Sequence, residues 1–182
     1  MASTGFTICG TGANNTDVGT EAWASPGNIT ADDGSNASGA AAAKNEQMNY
    51  LVGSNFGFAI PTGSTIDGIE ARLQASDVVS QADITHVIIY KDDSTPGNDL
   101  EAGTTGVTST PTNYDYGSSS ELWGLTWTPA EINSANFQLR ISMNAGFNGD
   151  PAVDFLAVNI HYTEAAGGDA PFLRPGGIFG LS

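Results

Sequence analysis

The side chains able to do chemistry fall into a few groups. Asp32-Asp33-Gly34-Ser35-Asn36 is an oxygen-rich run, and Asp92, Asp93 and Asp99 form a second acidic cluster. Calcium loops of the EF-hand type space their oxygens at fixed intervals and close on a Glu. The first run has neither feature, so it reads as a turn in which Asp33 bonds a nearby backbone group. The second reads as a solvated loop, and calcium stays open at both. Glycoside hydrolysis needs two facing carboxylates about 5–9.5 Å apart. The 20 Asp and Glu residues make many such pairs conceivable and single out none. Asp154 is the one acid inside a strongly apolar run; if buried, it needs a partner such as Arg140 or Arg72 in a structural ion pair.

Cys9 is the only cysteine, which excludes an intrachain disulfide and suits a small, inert core residue. His86 and His161 lie in strand-like runs with no Ser/His/Asp order around them, and no Gly-rich phosphate loop precedes a helix. No catalytic set assembles, and no metal or other cofactor is implied. The expectation is a protein that is not an enzyme. Trp23, Trp123 and Trp127 have two uses: exposed, they stack on sugar rings; buried, they are core or subunit contacts. The second weighs more, because aromatics dominate cores and interfaces.

Positioning any of these groups falls to a β framework. The chain of 182 residues suits one domain with tails. It has 23 Gly, 8 Pro and only 14% charged residues, a composition poor in the Glu, Lys and Arg that helices favour. Ile66 to Ala75 alternates, with Ile69, Ala71, Leu73 and Ala75 on one face and Glu70, Arg72 and Gln74 on the other. That period of two marks a half-buried strand. Strands are also expected at Asn49–Val52, Phe56–Ile60, Ile84–Lys91, Glu121–Trp127, Phe137–Met143 and Ala152–Thr163. In the Ile84 strand, Ile84, His86, Ile88 and Tyr90 share a face. Thr128-Pro129-Ala130-Glu131 predicts a short helix with a capping box. The Ala40–Ala43 run is open to a helix, but its flanking Gly39 and small-residue bias favour a close-packed strand. About eight strands with frequent turns predict an all-β, antiparallel jelly-roll-type sandwich with one short helix and extended N- and C-terminal arms. Its expected bounds are residues 21–164, after an N-terminal arm or edge strand over 1–20 and before a linker and apolar tail over 165–182.

Two blocks carry a resemblance. Trp23…Pro26-Gly27-Asn28…Asp33-Gly34, followed by Asn55-Phe-Gly-Phe-Ala-Ile-Pro-Thr-Gly-Ser-Thr-Ile-Asp-Gly-Ile-Glu70, resembles a sandwich domain of tailed-bacteriophage virion proteins. Leu122 to Ile132 and Val153 to Thr163 resemble that family's last third, so the likeness runs over roughly residues 20–163. It implies a jelly-roll module of a virion: a capsid decoration (cement) protein, or a neck, tail or fibre component. The implied partners are the major capsid protein or other virion proteins, and further copies of the chain in a homo-oligomer, a trimer being one form.

The rest of the chain fits that expectation. Five Lys and Arg against 20 Asp and Glu give a formal charge of −15, which disfavours nucleic acid. No apolar run approaches the roughly 20 residues that cross a membrane, and no signal peptide is visible, so synthesis in a bacterial cytoplasm and a place in the virion are expected. The predicted partner contacts are Phe6 and Ile8 in the N-terminal arm and Phe172, Leu173, Ile178, Phe179 and Leu181 in the tail. Decoration of the capsid leads these readings. A neck or tail adaptor, a host-surface carbohydrate-binding module and, last, a hydrolase follow.

Overall fold

The computed structural model describes residues 1–39, 46–101, 103–146 and 150–165. Among them are fourteen strands: β1 (Ala2–Ser3), β2 (Thr7–Ile8), β3 (Thr11–Asn15), β4 (Trp23–Ala24), β5 (Ala37–Gly39), β6 (Glu46–Gln47), β7 (Tyr50–Ser54), β8 (Thr65–Asp77), β9 (Asp83–Tyr90), β10 (Pro96–Asp99), β11 (Thr105–Gly106), β12 (Thr112–Ser118), β13 (Gln138–Ala145) and β14 (Pro151–Thr163). One sheet runs β12-β8-β14-β5-β4, with β1 and β2 also on β14. The other runs β10-β9-β13-β7-β3, with β11 on β9 and β6 on β13. Every ladder is antiparallel, and the two sheets face each other as a sandwich of the jelly-roll type.

The alternation in β8 works as the sequence predicts: Ile69, Ala71, Leu73 and Ala75 are buried and Glu70, Arg72 and Gln74 are half-buried. Leu73 and Leu156 from one sheet meet Leu51, Val87, Leu139 and Ile141 from the other in a single core. Full burial of each such side chain contributes about 1.5–3 kcal/mol. The helix α1 (Pro129–Ile132) also forms as predicted. Thr128 accepts from the Glu131 N–H, and Glu131 accepts from the Thr128 N–H at 2.7 Å, a complete capping box.

Three elements differ from expectation. Phe56, Phe58 and Ile60 do point inward at every second residue, yet 55–60 joins no ladder. Asn55 (φ 55°) and Gly57 (φ 71°) are left-handed and break the extension. The segment pins itself by side chains instead, with Phe56 stacked on Phe58 at 5.6 Å and both edge-on to Phe137. The Glu121–Trp127 run is a turn, because Trp123 (φ 57°) and Gly124 (φ 69°) are successive left-handed residues. In β9, a register shift opposite Ser142 and Met143 turns Ile84 into the core while His86, Ile88 and Tyr90 stay on the outer face. At the N-terminus, residues 2–8 pair with β14 and 11–15 form the edge strand beside β7, so the 1–20 segment contributes edge strands to the sandwich. The Ala40–Ala43 run lies outside the described residues.

Candidate functional site

All three tryptophans are structural. Trp23, Trp123 and Trp127 are 2%, 0% and 9% exposed, and their indole N–H groups donate to the carbonyls of Asn49, Ile69 and Leu122. None offers a face to a sugar ring. The Cys9 thiol is buried and pushed up to about 12 by desolvation, so it is no nucleophile at neutral pH. His86 meets Asp99 at 2.5 Å and His161 meets Glu70 at 2.8 Å. Among the described residues neither histidine bonds a serine, threonine or cysteine.

The acidic clusters are occupied by local bonds. Asp33 accepts from the Ser35 N–H at 2.8 Å, the turn bond its sequence suggests, and Asp92 accepts from the Ser94 N–H and hydroxyl. Asp93 and Asp99 face different partners, Gln138 and His86. Among the described residues no three acids, histidines or cysteines gather as a metal site. Asp154 is 4% exposed, but its partner is no arginine. A shift of register between Val153 and Phe155 turns it toward the 32–34 turn, where it accepts from the Gly34 N–H at 3.0 Å. Burial, aided by the charges of Asp32 and Asp33, raises its pKa. The expected ion pair is therefore replaced by a backbone bond. Arg72 instead holds Asp115 with two bonds of 2.6 and 2.7 Å.

One surface gathers aromatic and polar groups away from the main core. On the outer face of the second sheet, Tyr50 and Val52 on β7, Arg140 on β13, and Ile88 and Tyr90 on β9 lie side by side through the registers Arg140↔Val52 and Arg140↔Ile88. Tyr50, Val52, Ile88 and Tyr90 form a small apolar cluster with Val18 against it. The alternation of β13 predicts that Gln138, Arg140 and Ser142 face outward. They do, yet Arg140 is only 1% exposed, because Asp17 and Asp93 bond its guanidinium from the connections before β4 and after β9, and Val18 packs on the neighbouring cluster.

Arg140 organises the surface. Its guanidinium sits 3.9 Å from the Tyr90 ring centre and donates to Gln138 Oε1 (2.8 Å), Asp17 (3.1 Å) and Asp93 (3.4 Å to the carboxylate, 3.2 Å to the carbonyl). A buried charge persists when its donors are met in this way. Its acidic partners are open to solvent, with side chains 63% and 85% exposed. At the other end, Asp99 also accepts from the Val87 and Glu101 N–H groups, and His86 lies edge-on to Tyr50 at 5.9 Å. Burial raises the Tyr50 pKa to about 12, with Tyr90 and Asp99 adding and Arg140 opposing. Its phenol thus stays protonated, both donor and acceptor. Tyr50, Val52, Ile88 and Tyr90 are themselves only 7–8% exposed, so what this surface presents to solvent is its polar rim: the half-exposed His86/Asp99 pair and the carboxylates of Asp17 and Asp93.

A concavity of about 320 Å³ is lined by Lys91, Asp92, Ala130, Glu131, Ser134 and Asn136. Its charges are committed: Lys91 pairs with Glu131 at 2.8 Å and lies over Trp127, and Glu131 closes the helix cap. Of the predicted partner contacts, Phe6 and Ile8 are half-buried against the outer side of the first sheet, Phe6 under the Arg72 guanidinium at 4.0 Å. Phe172, Leu173, Ile178, Phe179 and Leu181 lie outside the described residues. The sequence pattern did not single out Tyr50 or Arg140 as one site, because β7 and β13 are about ninety residues apart and meet only in the sheet.

No family model and no curated protein matches the chain. Solved structures similar to this chain include the following two. One, titled "CBM4 structure and function", is 15% identical over 86% of this chain and 95% of that one, with a TM-score of 0.42. The other holds the CBM22-1 and GH10 modules of the Clostridium thermocellum endo-1,4-beta-D-xylanase 10B with xylohexaose. It is 10% identical over 86% of this chain and 28% of that one, with a TM-score of 0.46. Likenesses of this degree say nothing about what this chain binds.

Proposed function

We propose that this domain is a non-catalytic binding module that holds a carbohydrate on the outer face of its second sheet. The supporting observation is the half-exposed His86/Asp99 pair at the edge of the Tyr50 ring, with the Asp17 and Asp93 carboxylates open to solvent on the same face. Sugars present apolar C–H faces and neighbouring hydroxyls. Aromatic and aliphatic side chains meet the first, and groups that both donate and accept meet the second. A net charge of −15 disfavours anionic glycans, so neutral ones are the expected class. Affinity electrophoresis against a panel of neutral soluble polysaccharides tests this. Retardation should be lost in His86→Ala and Tyr50→Phe but kept in Gln74→Ala on the other sheet. A panel with no binder, or binding indifferent to His86 and Tyr50, overturns it.

A virion role is a second reading, supported by the sequence likeness over residues 20–163. Most large side chains in those blocks, including Phe56, Phe58, Ile69 and Trp123, are buried, so the blocks carry the fold and leave partner contacts to other segments. Mass spectrometry of purified particles tests it: hundreds of copies would fit capsid decoration, about a dozen a neck or tail position, and none would end this reading.

A further inference from the structure

The strand β14 is central to its sheet, yet one of its edges is closed by very little. β8 pairs with it along its whole length on one side. On the other side, from Leu156 to Tyr162, the partner among the described residues is the N-terminal segment. Ala2 and Ser3 face Tyr162 and His161, Thr7 and Ile8 face Val158 and Ala157, and the Cys9 N–H donates to Leu156. Thr4 bridges the gap: its N–H donates to the Ile160 carbonyl, and its hydroxyl accepts from the Ile160 N–H at 3.0 Å.

This strap is thinly held. No side chain from Met1 to Ile8 is fully buried, and Gly5 sits at φ 69° with open space around it, interrupting the strand between β1 and β2. Its side chains hold the sheet through the Thr4 hydroxyl and through the Phe6 ring under the Arg72 guanidinium. Anchorage begins abruptly at Cys9, 1% exposed, after which the chain crosses to β3 in the other sheet. Detaching residues 1–8 therefore forfeits little apolar burial. It would, however, strip the edge of a strand whose neighbours are buried, and unpaired backbone groups there are costly. Such an edge must be refilled by a segment of matching register and side chains.

We infer that the Leu156–Tyr162 edge is a strand-acceptor site, and that residues 2–8 of a second copy of this chain can fill it in place of the chain's own. The occupant is identified by the structure itself, since the same segment already fits the edge in cis. Exchange replaces each contact by its equal, so the balance is set by concentration and by the freedom of the strap. Eight extended residues reach at most roughly 28 Å, so the two sandwiches must lie edge to edge. This places Phe6 and Ile8 at the contact between copies and does not depend on the carbohydrate reading.

Disulfide trapping tests it. Ser3 and His161 are directly opposed across the ladder, so Ser3→Cys and His161→Cys variants are mixed and oxidised gently. The buried Cys9 thiol stays out of the reaction. Exchange predicts a shift of the mixture to a cross-linked species of twice the chain mass. A control mixture of Ser3→Cys with Asn113→Cys, on β12 away from this edge, should remain monomeric. Equal cross-linking in both mixtures, or none in either, overturns the proposal. If circular dichroism shows that His161→Cys does not fold, Ala2→Cys with Tyr162→Cys repeats the test at the neighbouring pair.

Discussion

Removing the two acids that face Arg140 should cost far more together than apart. Arg140 is 1% exposed, and its charge is met by Asp17 and Asp93, both largely in water. An exposed carboxylate by itself adds little, about 0–1 kcal/mol. Asp17→Asn and Asp93→Asn should each stay within that range, because the remaining acid still neutralises the guanidinium. The double variant leaves a buried charge without a counterion, for which about 3–5 kcal/mol is the expected loss. The coupling between the two changes is thus about 1–5 kcal/mol, well above the few tenths seen for independent sites. For a domain of this size that loss lowers Tm by about 6–20 °C. Urea unfolding of the wild type, both single variants and the double variant measures it. Additive single effects, or a double variant as stable as the wild type, would refute the claim that these acids hold the arginine. Arg140→Met separates charge from packing. It relieves the desolvation but leaves Gln138 Oε1 without its donor at a cost of about 1–3 kcal/mol, so a net loss no larger than that is expected.

Three further outcomes are expected. Thr128→Ala should lose about 0.5–2 kcal/mol through the broken cap, and Thr128→Ser should restore most of it in the same urea titration. Gly12→Ala should destabilise by about 1–3 kcal/mol or more, because the new Cβ would stand 2.0 Å from the Pro26 carbonyl oxygen. Glu70 and Asp154 should give opposite pH signatures. The His161 hydrogen bond, with that of Asn159, holds the Glu70 pKa below its ordinary value. The unfolded chain therefore binds more protons there, and this stability is complete above the ordinary carboxylate pKa and lost as pH falls through the folded value. Glu70→Gln should flatten that acid limb. Burial raises the Asp154 pKa, so ionisation costs the folded state stability as pH rises through the carboxylate range. Asp154→Asn should be more stable than the wild type at pH 7 and not at pH 3, by thermal unfolding at both.

Much of this fold is visible in the sequence where information is local. The two-residue period of Ile69 to Ala75, the period of Phe137 to Met143, and the Thr128-Pro129-x-Glu131 cap are each set by neighbours in the chain, and each forms as expected. The turn bond of Asp33 belongs with them. The errors are also instructive. Phe56–Ile60 has the side-chain alternation of a strand, but alternation does not show whether another strand lies alongside. Glu121–Trp127 has strand-like residues, yet the Trp123 indole must reach the Ile69 carbonyl, and two left-handed residues are adopted to place it.

The candidate site lies at the far end of that scale. Gln138 and Arg140 are assigned correctly to an outward face by their spacing alone. That this face is covered, that Arg140 lies against Tyr90, and that Asp17 and Asp93 arrive from separate connections all depend on which segments cross above the sheet. Likewise Asp154 is correctly singled out as an acid in an apolar strand, but its partner is a backbone N–H brought by a turn 120 residues away. By itself the sequence determined the sandwich class, the inner faces and the helix cap, because period, turn chemistry and capping act over a few residues. Only the tertiary structure decided the ladder partners, the register shifts at Ile84 and Asp154, and the closing of the β14 edge by residues 2–8. Those depend on hydrogen bonds between distant backbone segments, whose N–H and C=O groups are the same for every residue except proline, which lacks the N–H.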